Sequence, residues 1–415
     1  MDQEIIRYLL MGIITVSFVF EKTISWLNIK RKTQNIPQTL DQYLSMEKLN
    51  QSRRYQKTNY KFGLLSGTFS FLLTLVFIGF GFFGELDAWL RTFEWAPITL
   101  SLAYFGIIFI GSDLLSIPFD YYHTFKIEAD FGFNKSSKKT FFKDKIKGYV
   151  LSILLGGTLL FVFLWLILEI GRDFWWQFWM IASVFMVLVN LFYSSWILPL
   201  FNKLSPLEEG DLKTTIMNYA KSVNFSLDNV FIMDGSKRTS KANAFFSGFG
   251  KRKKVVLYDT LVEQHTPEEL VAVLAHEIGH YKKGHIKLGM VTGVLQTGII
   301  LFILSLFVFS ENISLALGGS QMAIHLNIIG FTMLFSPISL LLGIGMNILS
   351  RKHEYEADAF AKSTYAGQPL AEALKTLSVK TLSHLNPHPL YVFVNYSHPP
   401  LLSRLEKLED HTGKV

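Results

Sequence analysis

Seven stretches of this chain are too apolar and too long to rest in water. They lie at roughly 5–20, 63–83, 97–119, 149–170, 174–201, 287–309 and 325–349. About 20 apolar residues cross a bilayer as a helix, the local structure that satisfies its own backbone hydrogen bonds in hydrocarbon. Composition points the same way: 50% of the 415 residues are hydrophobic, only 18% are charged, and 37 are Phe. That balance excludes a disordered chain and argues against a soluble globule. The first stretch, IIRYLLMGIITVSFVF, is followed by EKTISW rather than a small-residue cleavage site, so it reads as a retained span. Asp113 inside the third and Pro337 inside the seventh are tolerated where they face protein, and Asp113 with Asn190 suggests a partly wet interior. The expected fold is therefore an all-α polytopic membrane protein of about seven transmembrane helices.

Charge orients these spans. Segments 21–62, 120–148, 202–286 and 350–415 carry nine, seven, twelve and eight Lys or Arg, whereas 84–96 and 171–173 carry one each and 310–324 none. Basic and non-basic connections alternate without exception, as the positive-inside rule requires. The N-terminus is then outside and every sizeable hydrophilic piece is cytoplasmic. The net charge of +7 belongs to topology and lipid headgroups, and a nucleic-acid partner is not expected. There are no Cys, which removes disulfides and thiolate metal sites.

The hydrophilic pieces divide the chain into 1–201 with five spans, 202–286 as a small α+β segment, 287–349 with two spans, and 350–415 as a helical tail. Within 202–286 the pattern predicts a helix over 206–223 and strands over 229–234, 243–248 and 254–259. GFGKRKK supplies the turn between the last two strands. Thr266-Pro267-Glu268-Glu269 then opens a helix with an N-cap, a first-turn Pro and a Glu three residues on.

That helix reads LVAVLAHEIGHYKKGH. His276 and His280, four apart, share one helical face and can share a tetrahedral Zn²⁺. Glu277 lies beside them, placed to reach a water rather than the metal. The bland alternative is a pair of satisfied helix histidines. His285, nine residues after His276, falls on a different face and is not expected to be the third ligand. SRKHEYEADAFAK, just after the seventh span, offers Glu354 with Asp358 four residues on; Glu356 competes, and an acidic solvated face is the other reading. Asp358 can accept a proton from the far nitrogen of a ligating His.

HEIGHYKKGH, then SRKHEYEADAFAK, then NYSHPPLLSRL over 395–405 resemble the type I CAAX prenyl proteases, integral-membrane zinc metalloproteases. The cytoplasmic loop FKIEADFGFNKSSKKTFFKDKIKG and the strand segment KANAFFSGFGKRKKVVLYDTLV add to the resemblance, which covers nearly the whole chain. It implies a hollow bundle of seven helices and one zinc ion bound by His276, His280 and Glu354, which prefers Glu354 to Glu356. It also implies substrate-contacting or transition-state roles for His398 and Arg404, and a substrate-pairing edge strand at Asn243. Asn395 departs from the family, which commonly has His there. With zinc acidifying water, Glu277 acts as the base. His398 is the candidate oxyanion donor, and Arg404 either binds a terminal carboxylate or braces the site.

The expected activity is peptide cleavage near the C-termini of prenylated or unfolded membrane-associated substrates. The alternatives are a quality-control protease without prenyl specificity, a zinc transporter, and an inactive scaffold. A transporter would place its ligands at mid-membrane, and a dead scaffold would not need Glu277. The final DHTGKV lacks a retrieval lysine pair, which favours a bacterial inner membrane over the endoplasmic reticulum.

Overall fold

A computed structural model describes residues 2–31, 40, 43, 45–227, 229–247 and 254–409. Among these residues, six helical runs are long and apolar enough to cross a membrane. Helix α1 is Gln3–Lys30, α2 Met46–Gly79, α3 Phe82–Arg91 and α4 Pro97–Tyr122. The fourth run, Lys138–Phe201, is 64 residues long. It comprises α5 Lys138–Leu151, α6 Thr158–Ile170, α7 Phe174–Phe192 and α8 Leu198–Phe201, joined by tighter and wider helical turns. It is not one rod. Gly171, at φ 72°, ends α6 in a conformation that favours glycine. The chain then folds back, so that the Phe163 ring lies 5.5 Å from Phe174 and 4.6 Å from Phe178. Six runs thus supply the seven rods expected from hydropathy.

The membrane-distal elements begin with β1 Leu204–Pro206, α9 Asp211–Ser222, β2 Asn229–Met233, β3 Ala244–Ser247, β4 Lys254–Tyr258 and α10 Asp259–Val262. Then come α11 Pro267–Lys282, α12 His285–Phe307, α13 Glu311–Ala316 and α14 Ile324–Thr364. The chain closes with α15 Gly367–Lys380, α16 Pro389–Asn395 and α17 Leu401–Leu408. The expected helix over 206–223 is shorter, because Pro206 belongs to β1 and the helix starts after Gly210. Four strands replace the expected three. Their order is β1-β2-β4-β3, with β2 and β4 parallel and the other pairs antiparallel, so β3 is an edge. The GFGKRKK turn lies outside the described residues.

The rods close a ring in which α1 packs on α2, α4 on α6, α6 on α7, α7 on α12, α12 on α14, and α14 back on α1. Phe119 of α4 packs at a tilt against Phe62 and Phe69 of α2, with ring centroids 6.2 and 5.2 Å away, to complete it. Between 6% and 22% of the residues in each run's most apolar window are buried. A solid seven-helix core would bury far more, so the bundle is open inside and lipid-facing outside. Exposed Val16, Leu65, Leu72, Ile153, Val184 and Leu341 sit on these rods, where apolar exposure suits hydrocarbon. Asp113 is paired within the bundle, with Lys145 at 2.7 Å and with Tyr149.

One end of the ring is sealed by α3, α13 and the start of α14. There His325 Nε2 lies 2.9 Å from Asp87, and its Nδ1 3.1 Å from Ser101 Oγ. The order Asp–His–Ser looks like a nucleophile set, but all three are buried; it clamps the start of α14 to α3 and α4. At the other end a single core joins α9, the sheet, α11, α15 and α17. Residues on either side of the last two spans therefore build one body.

The sealed end depends on glycine contact. The Gly84 amide donates to Leu317 O at 3.0 Å, and a Cβ on Gly84 would lie 1.9 Å from the Gly318 carbonyl carbon. Gly84→Ala should cost about 1–3 kcal/mol by overpacking, read as a lowered Tm in detergent. Gly106→Ala, with nothing within 4 Å, should leave Tm unchanged.

Candidate active site

Helix α11 is started firmly. Thr266 caps it, its side chain accepting from Glu269 N while the Glu269 carboxylate accepts from Thr266 N, a reciprocal capping box of the kind that contributes about 1 kcal/mol. Its apolar face buries Leu270, Val271, Leu274, Ala275 and Ile278 in the distal core. This leaves His276 and His280 facing α14.

Gly279 decides how close the two helices come. A Cβ there would lie 3.1 Å from Ala357 Cα and 3.2 Å from Ala357 O, so the helices approach at a separation that any larger residue would have to widen by a few tenths of an ångström. This approach brings His276 and His280 against the buried carboxylates of Glu354 and Asp358. His276 Nε2 and His280 Nε2 are 3.1 Å apart, and Glu354 lies 3.5 Å from the first and 3.2 Å from the second. One ligand atom from each residue falls within 4.8 Å of the others.

These residues fit a metal ion. Donors bound tetrahedrally at about 2.1 Å sit about 3.4 Å from one another, close to the separations seen. Two imidazole nitrogens that point at each other gain most by sharing a cation. Glu354 Oε2 is buried and accepts no well-aligned hydrogen bond, although Arg404 Nη1 lies 3.3 Å away. Burial disfavours a charged His276, yet hydrogen bonds with Asp358 and Glu354 outweigh it and push its pKa up to about 9. The pocket strongly attracts positive charge.

The groups behind the donors fix their tautomers. Asp358 Oδ1 lies 2.9 Å from His276 Nδ1; a carboxylate only accepts, so Nδ1 carries the proton and Nε2 is left as a donor to metal. On the other side Glu356 lies 2.9 Å from His285 Nε2, and His285 Nδ1 lies 3.1 Å from His280 Nδ1. By the same logic His285 accepts at Nδ1, His280 donates from Nδ1, and His280 Nε2 is free to ligate. Glu356 is occupied with His285, and His353 stacks on that ring at 4.0 Å.

Arg404 is buried rather than a surface partner. Its Nε and Nη2 donate to the two Asp358 oxygens at 2.8 and 2.6 Å, a bidentate pair that braces the site. His398 is exposed, with Nε2 3.3 Å from Glu354 Oε1 and Nδ1 2.9 Å from Ser397 Oγ. It lines an open cavity of about 370 Å³ with Arg404, Tyr396 and Asn395. Glu277 is half-buried beside the donors, and burial pushes its carboxyl above the usual range, as suits a group that must take a proton near neutrality. Asn243 is exposed and immediately precedes the edge strand β3; its carbonyl accepts from Tyr258 N at 3.0 Å. Sequence reasoning missed Gly279 and the His285–Glu356 pair. Gly279 carried a signal, since glycine inside a helix is costly unless something needs its space.

Comparison with known proteins bears on the same residues. Residues 25–203 match the family described as CAAX prenyl protease N-terminal, five membrane helices, and residues 206–412 match peptidase family M48. The chain belongs to peptidase family M48. It is 32% identical to CAAX prenyl protease 1 of Saccharomyces cerevisiae, over 97% of this chain and 95% of that one. It is 34% identical to a CAAX prenyl protease 1 homolog of Oryza sativa subsp. japonica (96% of each) and 32% identical to the one from Homo sapiens (92% and 90%). The crystal structure of S. mikatae Ste24p superposes with a TM-score of 0.92 at 32% identity, covering 97% of this chain and 99% of that one. This M48 chain is a multi-pass membrane metalloendopeptidase.

The donor geometry sets an order of effects. Glu354→Ala should abolish tight metal binding, whereas Glu356→Ala, acting through His285 and His280, should weaken it about 10–100-fold. Gly279→Ala, which forces α11 from α14, should also weaken it. Competition with a calibrated chelator measures all three, and equal losses for Glu354→Ala and Glu356→Ala would contradict this assignment.

Proposed function

We propose that the chain is a zinc endopeptidase that cuts extended, membrane-tethered segments near their C-termini, prenylated tails foremost. The observation that carries this reading is the convergence of His276, His280 and Glu354 with Glu277 beside them, His280 lying five residues before the start of the membrane rod α12 at His285. Zinc held by those three residues would supply Lewis-acid polarisation and a water of lowered pKa. Glu277 takes the proton from the attacking water and delivers it to the leaving amine. Asp358, braced by Arg404, and His285, braced by Glu356, hold the two imidazoles in ligating tautomers. His398 Nε2 faces the same space and donates to the oxyanion.

The edge strand β3 offers unpaired backbone to an extended substrate beginning at Asn243. Beside it, Asn190, Phe245, Phe246 and Ile286 border an apolar cavity of about 590 Å³, which suits an isoprenoid or another long apolar group. The CAAX prenyl protease names carried by the relatives support the prenylated class. The alternation of Lys and Arg between connections supports a site on the cytoplasmic face with the N-terminus opposite.

Glu277→Gln should keep stoichiometric zinc and lose nearly all cleavage of a farnesylated CaaX peptide; zinc lost together with activity would move Glu277 into the coordination shell. Equal cleavage of the unfarnesylated peptide by the parent enzyme would replace prenyl specificity with general quality control. The chain has no Cys, so single replacements report topology. Lys407→Cys should react with a membrane-impermeant thiol reagent only from the cytoplasmic side, and Glu94→Cys only from the opposite side. Reversed labelling would overturn the orientation.

A further inference from the structure

Four polar residues share one stripe of α14. Asn347, Arg351, Glu354 and Asp358 follow one another at spacings of four, three and four, which keeps them on one helical face. The last two serve the metal-ligand group: Glu354 faces His276 and His280, and Asp358 faces His276. The first two reach a different element. Asn347 Nδ2 donates to Val394 O at 2.7 Å, and Arg351 Nη1 donates to Val392 O at 3.1 Å and to Tyr396 O. These carbonyls belong to the last turn of α16 and its cap, where a helix runs out of its own donors. The adjacent Lys352, its side chain 72% exposed, is turned to solvent, as suits a basic residue that flanks a span. Arg351 is turned inward onto backbone.

Helix α16 is thereby tied down at both ends, since at its start the Asn28 side chain accepts from His388 N at 2.8 Å. The chain leaves it with Tyr396 in extended backbone, at φ −90° and ψ 119°, passes Ser397 and His398, and enters α17 after Pro399 and Pro400. The two prolines fix their own φ angles and hold His398 away from helical backbone. Beyond them α17 is anchored by the Arg404–Asp358 pair. Residues 396–400 therefore form a short strap, and both its anchors reach the same stripe of α14. His398 needs that strap. Its side chain is 64% exposed, and its polar contacts are Glu354 Oε1 at 3.3 Å and Ser397 Oγ at 2.9 Å. Packing does not hold this ring in place, so its backbone must.

We infer that Arg351 is a positioning residue for peptide cleavage: by capping the end of α16 it sets where the strap begins and so keeps His398 Nε2 beside Glu354, where the oxyanion forms. The inference rests on the reading of His398 as the oxyanion donor. Arginine suits the task because Nη1 carries two protons in a fixed plane, one for each carbonyl, whereas a lysine ammonium swings on a flexible stem. Arg351 donates to α16 and to none of the metal donors. Its loss should therefore disturb the placement of His398 and leave metal binding intact.

The test is a double-mutant cycle on the full, zinc-loaded chain in nanodiscs, with a farnesylated CaaX peptide as substrate. His398→Ala should lower kcat about 100–1000-fold, the usual loss of one oxyanion donor. Arg351→Ala should lower kcat about 10–100-fold by misplacing that donor, with KM within about twofold of the parent and zinc affinity, read by chelator competition, unchanged. In the His398→Ala background the same substitution should cost less than about twofold, because no donor remains to be misplaced. Hydrogen exchange over 391–398 should quicken in Arg351→Ala while α11 stays protected. Arg351→Lys, which keeps the charge, should give an intermediate kcat, and it carries the same cycle if Arg351→Ala does not fold. Equal losses in the two backgrounds would make Arg351 a general stabiliser and overturn the inference, as would lost zinc affinity or unchanged exchange over 391–398. An unimpaired His398→Ala would instead overturn the oxyanion reading, and the inference with it, so the two failures are told apart.

Discussion

The structure turns on the close approach of α11 to α14 at Gly279 and Ala357. Two histidines and two buried carboxylates meet there, and the absence of a side chain at Gly279 lets the helices come this close. Glu354 and Asp358 at that depth are costly unless paired. Arg404 answers Asp358 through Nε and Nη2 and faces Glu354 through Nη1, and the two histidines lie on the other side of Glu354. A metal ion held by His276, His280 and Glu354 would join the electrostatic balance of the crossing as well as supply chemistry.

Helix α14 links this crossing to the bundle. Its start is clamped by the buried Asp87–His325–Ser101 contacts, and 29 residues later it delivers Glu354. Helix α11 passes through Gly284, at φ 76°, into α12, so each arm of the site is anchored in a membrane rod. The open ring between the rods makes room for an extended segment, and the edge strand β3 borders the approach. A folded domain would have to pass both the rods and the sheet.

Hydropathy made the rods legible because lipid selects on length and apolarity alone. The fold-back at Gly171 was legible for the same reason, as a short polar break between two apolar runs. The HExxH helix could be read from capping chemistry and four-residue spacing. Spacing alone left Glu354 and Glu356 open, since both lie on one short acidic stretch; the family resemblance preferred Glu354, and in the structure Glu354 faces His276 and His280 while Glu356 faces His285. Strand β1 escaped notice because three residues ending in Pro206 carry no alternation, and it exists through pairing with β2. Arg404 could pass for a surface cation until α17 was packed over Asp358.

The most direct measurement of the central claim is zinc K-edge X-ray absorption on the purified, metal-loaded protein. The zinc site should be low-coordinate, with two imidazole nitrogens and otherwise light oxygen donors, and should lose one oxygen donor in Glu354→Ala. A site with three or more imidazoles, which would draw in His285 or His398, would contradict it.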